Sequence, residues 1–194
     1  MLSAAVDLFG RHGYRRTSIG EIARQASIAK GTVYLYFPGK AEILLNVMML
    51  ERLQLYERME PVLTADQAPI DRLRGLLQQA VVNAHLMPIS NRIKLGEPEF
   101  IAALQELDLK QLWPMVKVFD DIMGWLIQEA TPGHLSPAEL HDRGHVLIAV
   151  LQAIPLIAAP RMLGAMTPEI FAGHLADMLV DGLTAPPRTR EEEP

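Results

Sequence analysis

The chain has 194 residues and a formal net charge of −5, and its 49% hydrophobic against 21% charged residues exclude a disordered protein. It contains no cysteine, which excludes disulfide frameworks, thiolate zinc sites and cysteine nucleophiles and suits a reducing cytoplasm. The longest apolar run, Val146 to Ala159, is interrupted by Gln152 and Pro155 and falls short of the ~20 residues of a membrane span. No charged-then-apolar leader opens the sequence, so neither a secretory address nor a membrane partner is expected.

The charge is uneven. Residues 1–50 carry six basic side chains (Arg11, Arg15, Arg16, Arg24, Lys30, Lys40) against three acidic ones (Asp7, Glu21, Glu42), net +3, and the remainder carries twelve against twenty, net −8. A basic head on an acidic body is the footprint of a nucleic-acid contact confined to one end.

Ala5, Leu8, Phe9 and His12 recur at helical spacing, and Gly13 can end that helix. Thr17 or Ser18 can cap the next, with Glu21 completing a capping box after Ser18. Ile19, Ile22, Ala23 and Ala26 repeat the spacing. A break at Ser27 and Ile28 precedes a third short helix over 29–36, which Phe37-Pro38-Gly39 stops. One long helix is expected over 40–63, before turn formers between Pro61 and Pro69. Further helices are expected over 70–86, closed by Pro88, then over 98–107 and 114–130. Ser136-Pro137 opens a helix running to about Ala159, kinked at Pro155. The last covers about 168–183, and 185–194 reads as a disordered tail. No segment alternates, so the fold is expected to be all-α, with about nine helices. They divide into a head over 1–45, a larger helical body over 46–184, and the tail.

Two helices joined by a tight turn, the second of them short, form a helix-turn-helix pattern, whose second helix enters the major groove. On that helix Lys30, Gly31 and Tyr34 share one face. Val33 and Phe37 lie on a neighbouring face that can join Ile19 and Ile22. Gly31 lets backbone approach DNA, and Tyr34 offers a ring and a hydroxyl.

The string Gly13-Tyr14, Thr17-Ser18-Ile19, Ile22-Ala23, Ala26 and Lys30-Gly31-Thr32-Val33-Tyr34-Leu35-Tyr36-Phe37-Pro38-Gly39-Lys40 closely resembles the DNA-binding domain of the tetracycline-repressor (TetR) family, over residues 2 to about 48. The resemblance implies a homodimeric, ligand-responsive transcription repressor that acts on double-stranded DNA. It implies that Lys30, Gly31 and Tyr34 touch bases while Thr17, Thr32, Tyr36 and Lys40 hold phosphates; packing against the next helix is the other role open to Tyr36. The sequence departs from the family pattern at Ser27, where glycine is usual, at Ala29, where a hydroxyl residue often caps the recognition helix, and in lacking basic residues ahead of the first helix.

Other chemistries find less support. His141 and His145 have the spacing of a metal pair but no third ligand, so no metal is expected. No nucleophile elbow, phosphate loop or dinucleotide glycine pattern is present, so neither a catalytic residue nor a cofactor is expected; a helical-bundle enzyme and an effector-free DNA binder are the alternatives. The dimer seam is expected on the last two long helices, from Val146, Ile148 to Leu151, Ile154, Leu156 and Ile157 on one, and from Phe171, Leu175, Met178 and Leu179, with small Ala172 and Gly182, on the other. An effector pocket is expected among His85, Met87, Ile89, Ile93, Leu112, Trp113, Val116, Phe119 and Met123, large adaptable side chains with few polar companions (Asn83, Asn91, Arg92, Gln111). That composition suits a small hydrophobic or aromatic guest.

Overall fold

The computed structural model describes residues 1–107, 110 and 113–186. Among them are eleven α-helices and no strand: α1 (Leu2–Arg16), α2 (Ile19–Gln25), α3 (Lys30–Tyr36), α4 (Lys40–Leu63), α5 (Pro69–Val82), α6 (Pro88–Lys94), α7 (Pro98–Leu104), α8 (Trp113–Ala130), α9 (Pro137–Ile157), α10 (Pro160–Leu163) and α11 (Pro168–Leu183), with a 3-10 turn over Ala84–Leu86. The two beyond the expected nine are α6 and α10, each opened by a proline. Pro88 begins a helix and does not merely close the preceding one, because proline's fixed φ and missing N–H suit a first helical turn. Helix α5 ends at Val82, short of the expected Leu86, and Pro61 lies inside the last turn of α4. Most of the expected tail, from residue 187, lies outside the described residues.

The chain forms two compact units, one of residues 1–58 with 83–111, the other of 59–82 with the chain from 112 onward. The first extends well past the boundary expected at residue 45, because α6 and α7 return to pack on α1. Its core gathers Phe9, Ile22, Val33, Ile43, Leu44, Val47, Ile89 and Phe100, all fully buried. Phe9 and Phe100 meet edge to face, with ring centres 6.5 Å apart, and Tyr14 stacks obliquely on both. Burying one such aromatic ring contributes about 1.5–3 kcal/mol, so α7 is part of this unit's stability and not a loose connector.

In the second unit α5 packs against both α8 and α11. Leu73, Leu76, Leu77 and Ala80 of α5 are buried, as are Met123, Leu126 and Ile127 of α8 and Ala172, Ala176, Val180 and Leu183 of α11. The four on α11 recur every three to four residues and form one seam. Helix α9 starts at a capping box in which Ser136 Oγ accepts from the Glu139 N–H and the Glu139 carboxylate accepts from the Ser136 N–H.

Candidate nucleic-acid interface

Helix α2 begins at the Ser18–Glu21 capping box, so Ser18, not Thr17, is its cap. Glu21 titrates below its ordinary value because the Ser18 hydroxyl and backbone N–H both donate to it. At the other end Ser27 takes φ 56°, and the Ile28 N–H donates to Ala23 O at 3.0 Å. This is the left-handed closure that usually calls for glycine. Ser27 therefore sits in strained backbone, and the α3 N-cap is Ala29, which has no side-chain bond.

Helix α3 has seven residues and buries one of them, Val33, which joins Ile22 in the core. Everything else faces outward or sits at the margin. Tyr34 is 48% exposed, Leu35 81% and Tyr36 73%. Such a display is costly in water unless something covers it. Lys30 Nζ lies 5.8 Å over the Tyr34 ring, holding two of the expected base-reading side chains together. Gly31 is exposed, and nothing lies within 4 Å of where a Cβ would stand, so backbone is open to approach there. Thr32 is partly exposed. The exposure of Tyr36 goes against the reading in which it packs on the next helix. Leu35, the most exposed large apolar side chain of α3, was not singled out from the sequence, although its place on the helix away from Val33 was the available signal.

Two expected phosphate ligands face inward. Thr17 is 2% exposed, and its hydroxyl donates to Gly13 O at 2.8 Å and Leu8 O at 3.2 Å. Its side chain braces the end of α1 and has no hydroxyl proton left for a phosphate. Lys40 Nζ donates to Tyr14 O at 2.8 Å and Thr17 O at 3.0 Å, and sits 4.2 Å over the Tyr14 ring. Burial lowers its pKa, against the opposing pull of Glu99, Glu106 and Glu21. Beside it is a pocket of about 380 Å³ lined by Tyr14, Gly39, Lys40, Ala41, Glu42 and Glu106, whose two carboxylates make it a poor seat for phosphate. Burial, with Glu106 and Glu42 behind it, pushes the Tyr14 phenol up to about 12. Next to Thr17, Arg15 and Arg16 at the end of α1 are exposed, as is Arg24 on α2.

The expected effector residues do not come together in one unit. Ile89 is fully buried in the core of the first unit, where Ile93 packs on it, Met87 is buried and His85 exposed. Met123 is buried in the second unit. Trp113, Val116 and Phe119 fall on α8, but their side chains, like Leu112 as a whole, lie outside what the structure describes. Among the described residues no cluster of three or more metal-ligating side chains occurs, and no helix is long and apolar enough to cross a membrane. The His141 and His145 rings lie 5.5 Å apart on the exposed side of α9.

Residues 1–47 match the family model described as bacterial regulatory proteins, tetR family. The chain is 40% identical over 60 residues to the fatty acid metabolism regulator protein of Bacillus subtilis, covering 31% of each. It is 32% identical over 79 residues to a probable acrEF/envCD operon repressor of Escherichia coli, covering 40% of this chain and 36% of that one. The matches thus span about a third of these relatives' length. The fold extends further. The crystal structure of the transcriptional regulator FadR from Bacillus subtilis in complex with stearoyl-CoA superposes over 93% of this chain and 96% of its own, with a TM-score of 0.68 at 19% identity. The head is thus similar in sequence to the DNA-binding head of tetR-family regulators, and the chain as a whole shares the fold of such a regulator.

Proposed function

We propose that this protein is a sequence-specific, ligand-responsive repressor that binds a palindromic operator in the cytoplasm as a homodimer and leaves it when a small hydrophobic effector binds. The observation that carries the reading is α3, which buries only Val33 and presents Lys30, Gly31, Thr32, Tyr34, Leu35 and Tyr36 outward, on a head whose charge is opposite to that of the rest. A helix so exposed is stable only through its neighbours, and a major groove is the surface its width fits. Lys30, Gly31 and Tyr34 read bases in this proposal. Thr32, Tyr36 and the exposed Arg15 and Arg16 meet phosphates, while Thr17 and Lys40 hold the frame.

The effector is proposed to be hydrophobic because Met87, Trp113, Met115, Phe119, Met123 and Trp125, which include both tryptophans of the chain, fall between the head and the last two long helices. The relatives add support for an acyl chain: one is named for fatty acid metabolism, and a solved neighbour holds stearoyl-CoA. A ligand that prefers the arrangement unable to span two half-sites releases the operator.

Selection from a randomised duplex library is expected to recover a palindrome with half-sites ~10 base pairs apart, or a multiple. Tyr34→Ala is expected to cost roughly 1–3 kcal/mol at that sequence. Arg16→Ala is expected to weaken binding to all sequences alike and flatten its salt dependence. Recovery of no palindrome, together with an unaffected Tyr34→Ala, contradicts the DNA reading. Stearoyl-CoA that neither changes tryptophan fluorescence nor releases the duplex contradicts the acyl effector alone.

A further inference from the structure

Helix α1 is broken near its end, where Gly13 adopts φ 81° and ψ 171°. A break inside a helix leaves carbonyls unpaired before it and amide N–H groups unpaired after it, and burying either without a partner is costly. Here the partners come from α6 and α7. Arg92 of α6 donates from Nη1 to Phe9 O at 2.7 Å and, more weakly, to Gly10 O at 3.3 Å. Glu99 of α7 accepts the Arg15 N–H at 2.9 Å, and its other oxygen fills the space that a Cβ on Gly13 would occupy. The two side chains support one another, with Arg92 Nη2 3.8 Å from Glu99 Oε1, while Glu97 grips the same guanidinium at 2.7 Å and Arg92 lies 4.7 Å over the Phe100 ring.

We infer that Arg92 and Glu99 are positioning residues of the DNA-binding surface: together they cap both sides of the break in α1 and so set where residues 14–17 lie. The inference rests on the DNA-binding reading above. Its reach follows from what those residues hold. The carbonyls of Tyr14 and Thr17 anchor the Lys40 ammonium at the first residue of α4, immediately past the turn that ends α3. Arg15 and Arg16 are themselves exposed cations. A shift of α6 or α7 by a fraction of a hydrogen-bond length thus bears on the frame of the recognition helix without either residue touching DNA. Neither α6 nor α7 belongs to the stretch over which the head matches the family model, so sequence comparison of the head alone does not reveal the clamp.

The test uses the full chain, a duplex that the unaltered protein has selected from a randomised library, and amide hydrogen exchange over residues 13–17. Glu99→Ala is expected to weaken the folded protein's affinity about tenfold, as loss of a charged hydrogen bond does. The slope of affinity against salt is expected to stay, because no phosphate contact is lost. The Arg15 amide is expected to exchange faster. Glu99→Gln keeps an acceptor and is expected to recover most of the affinity, whereas Arg92→Lys, which keeps charge but loses the fork, is expected to fall with Glu99→Ala. Should Glu99→Ala fail to fold, Glu99→Gln against Arg92→Lys makes the same comparison. Full affinity in Glu99→Ala or in Arg92→Lys overturns the clamp, as does Glu99→Gln no better than Glu99→Ala, or unchanged exchange at Arg15. If no duplex can be selected, the DNA-binding reading falls and this role with it; an affected duplex with unaffected exchange overturns the clamp alone.

Discussion

Glu51 shows how a single side chain organises a long stretch of sequence. It is 1% exposed, and its carboxylate accepts the Ile89 N–H at 2.7 Å, the Ser90 N–H at 2.8 Å and the Ser90 hydroxyl at 2.6 Å, capping α6 from α4. Burial raises its pKa despite these donors and the nearby Lys94, whose own value burial lowers. The consequence for stability has a definite sign. A carboxyl whose folded pKa is raised binds its proton more tightly when folded, so its contribution is fully present below its unfolded value and is lost as pH rises through the folded one. The melting temperature of the unaltered protein relative to Glu51→Gln is therefore expected to improve as pH falls from neutrality toward the ordinary carboxylate range. A difference that shrinks on acidification would show that the donors outweigh burial. None of this was legible in the sequence, because cap and capped helix are 38 residues apart. Arg92 was misplaced for the same reason: near large apolar residues it reads as a polar companion of a pocket, yet its partners are the Phe9 and Gly10 carbonyls, more than 80 residues away.

Elements whose signals lie within a few residues of one another were legible. The Ser18–Glu21 box and the Ser136-Pro137 start marked their helices to within a residue, since a cap and the first turn it serves are neighbours in sequence. The recognition helix was legible for a similar reason: its pattern of one inward residue and its stop at Phe37-Pro38-Gly39 are local. The return of α6 and α7 to α1 was not, because it depends on Phe100 and Ile89 finding a core made earlier in the chain. The turn between α2 and α3 permits a direct check on local strain. Ser27 is exposed and held at φ 56°, where a side chain costs about 1–2 kcal/mol. Glycine relieves that cost but gains freedom in the unfolded chain, which offsets about 0.4–1 kcal/mol of it. Ser27→Gly is accordingly expected to stabilise the protein by about 0.5 kcal/mol in denaturant unfolding, with the operator sequence unchanged. A loss of stability would reveal a favourable role for the hydroxyl that its exposure does not suggest.

For the molecule as a whole, the exposed apolar side chains of the second unit argue for a second copy of the chain. On α9, Val146 is 57% and Leu156 50% exposed; on α11, Ile170 is 51% and Met178 75% exposed. The spacing from Ile170 to Met178 places both on one side of α11, with exposed His174 between them, opposite the buried seam of Ala172, Ala176 and Val180. This revises which residues serve the proposed dimer. Ala172 was expected to admit a partner helix but is 1% exposed within its own unit, so the outward face falls to Ile170, His174 and Met178. An apolar surface on two helices that also complete a packed core is more than a monomer needs, and an isologous two-fold contact buries each side chain twice over. Two heads held by one such contact would fix the half-site spacing on DNA, so dimer and operator affinity should fail together. Met178→Arg is expected to leave circular dichroism and melting close to those of the unaltered protein at low concentration, since the side chain is already in water. It is also expected to shift sedimentation at micromolar concentration from dimer to monomer and to abolish palindrome binding, while half-site binding persists weakly. A Met178→Arg protein that still sediments as a dimer would move the interface off this face of α11. An unaltered protein that is monomeric under the same conditions would remove the geometric basis for a palindromic operator altogether.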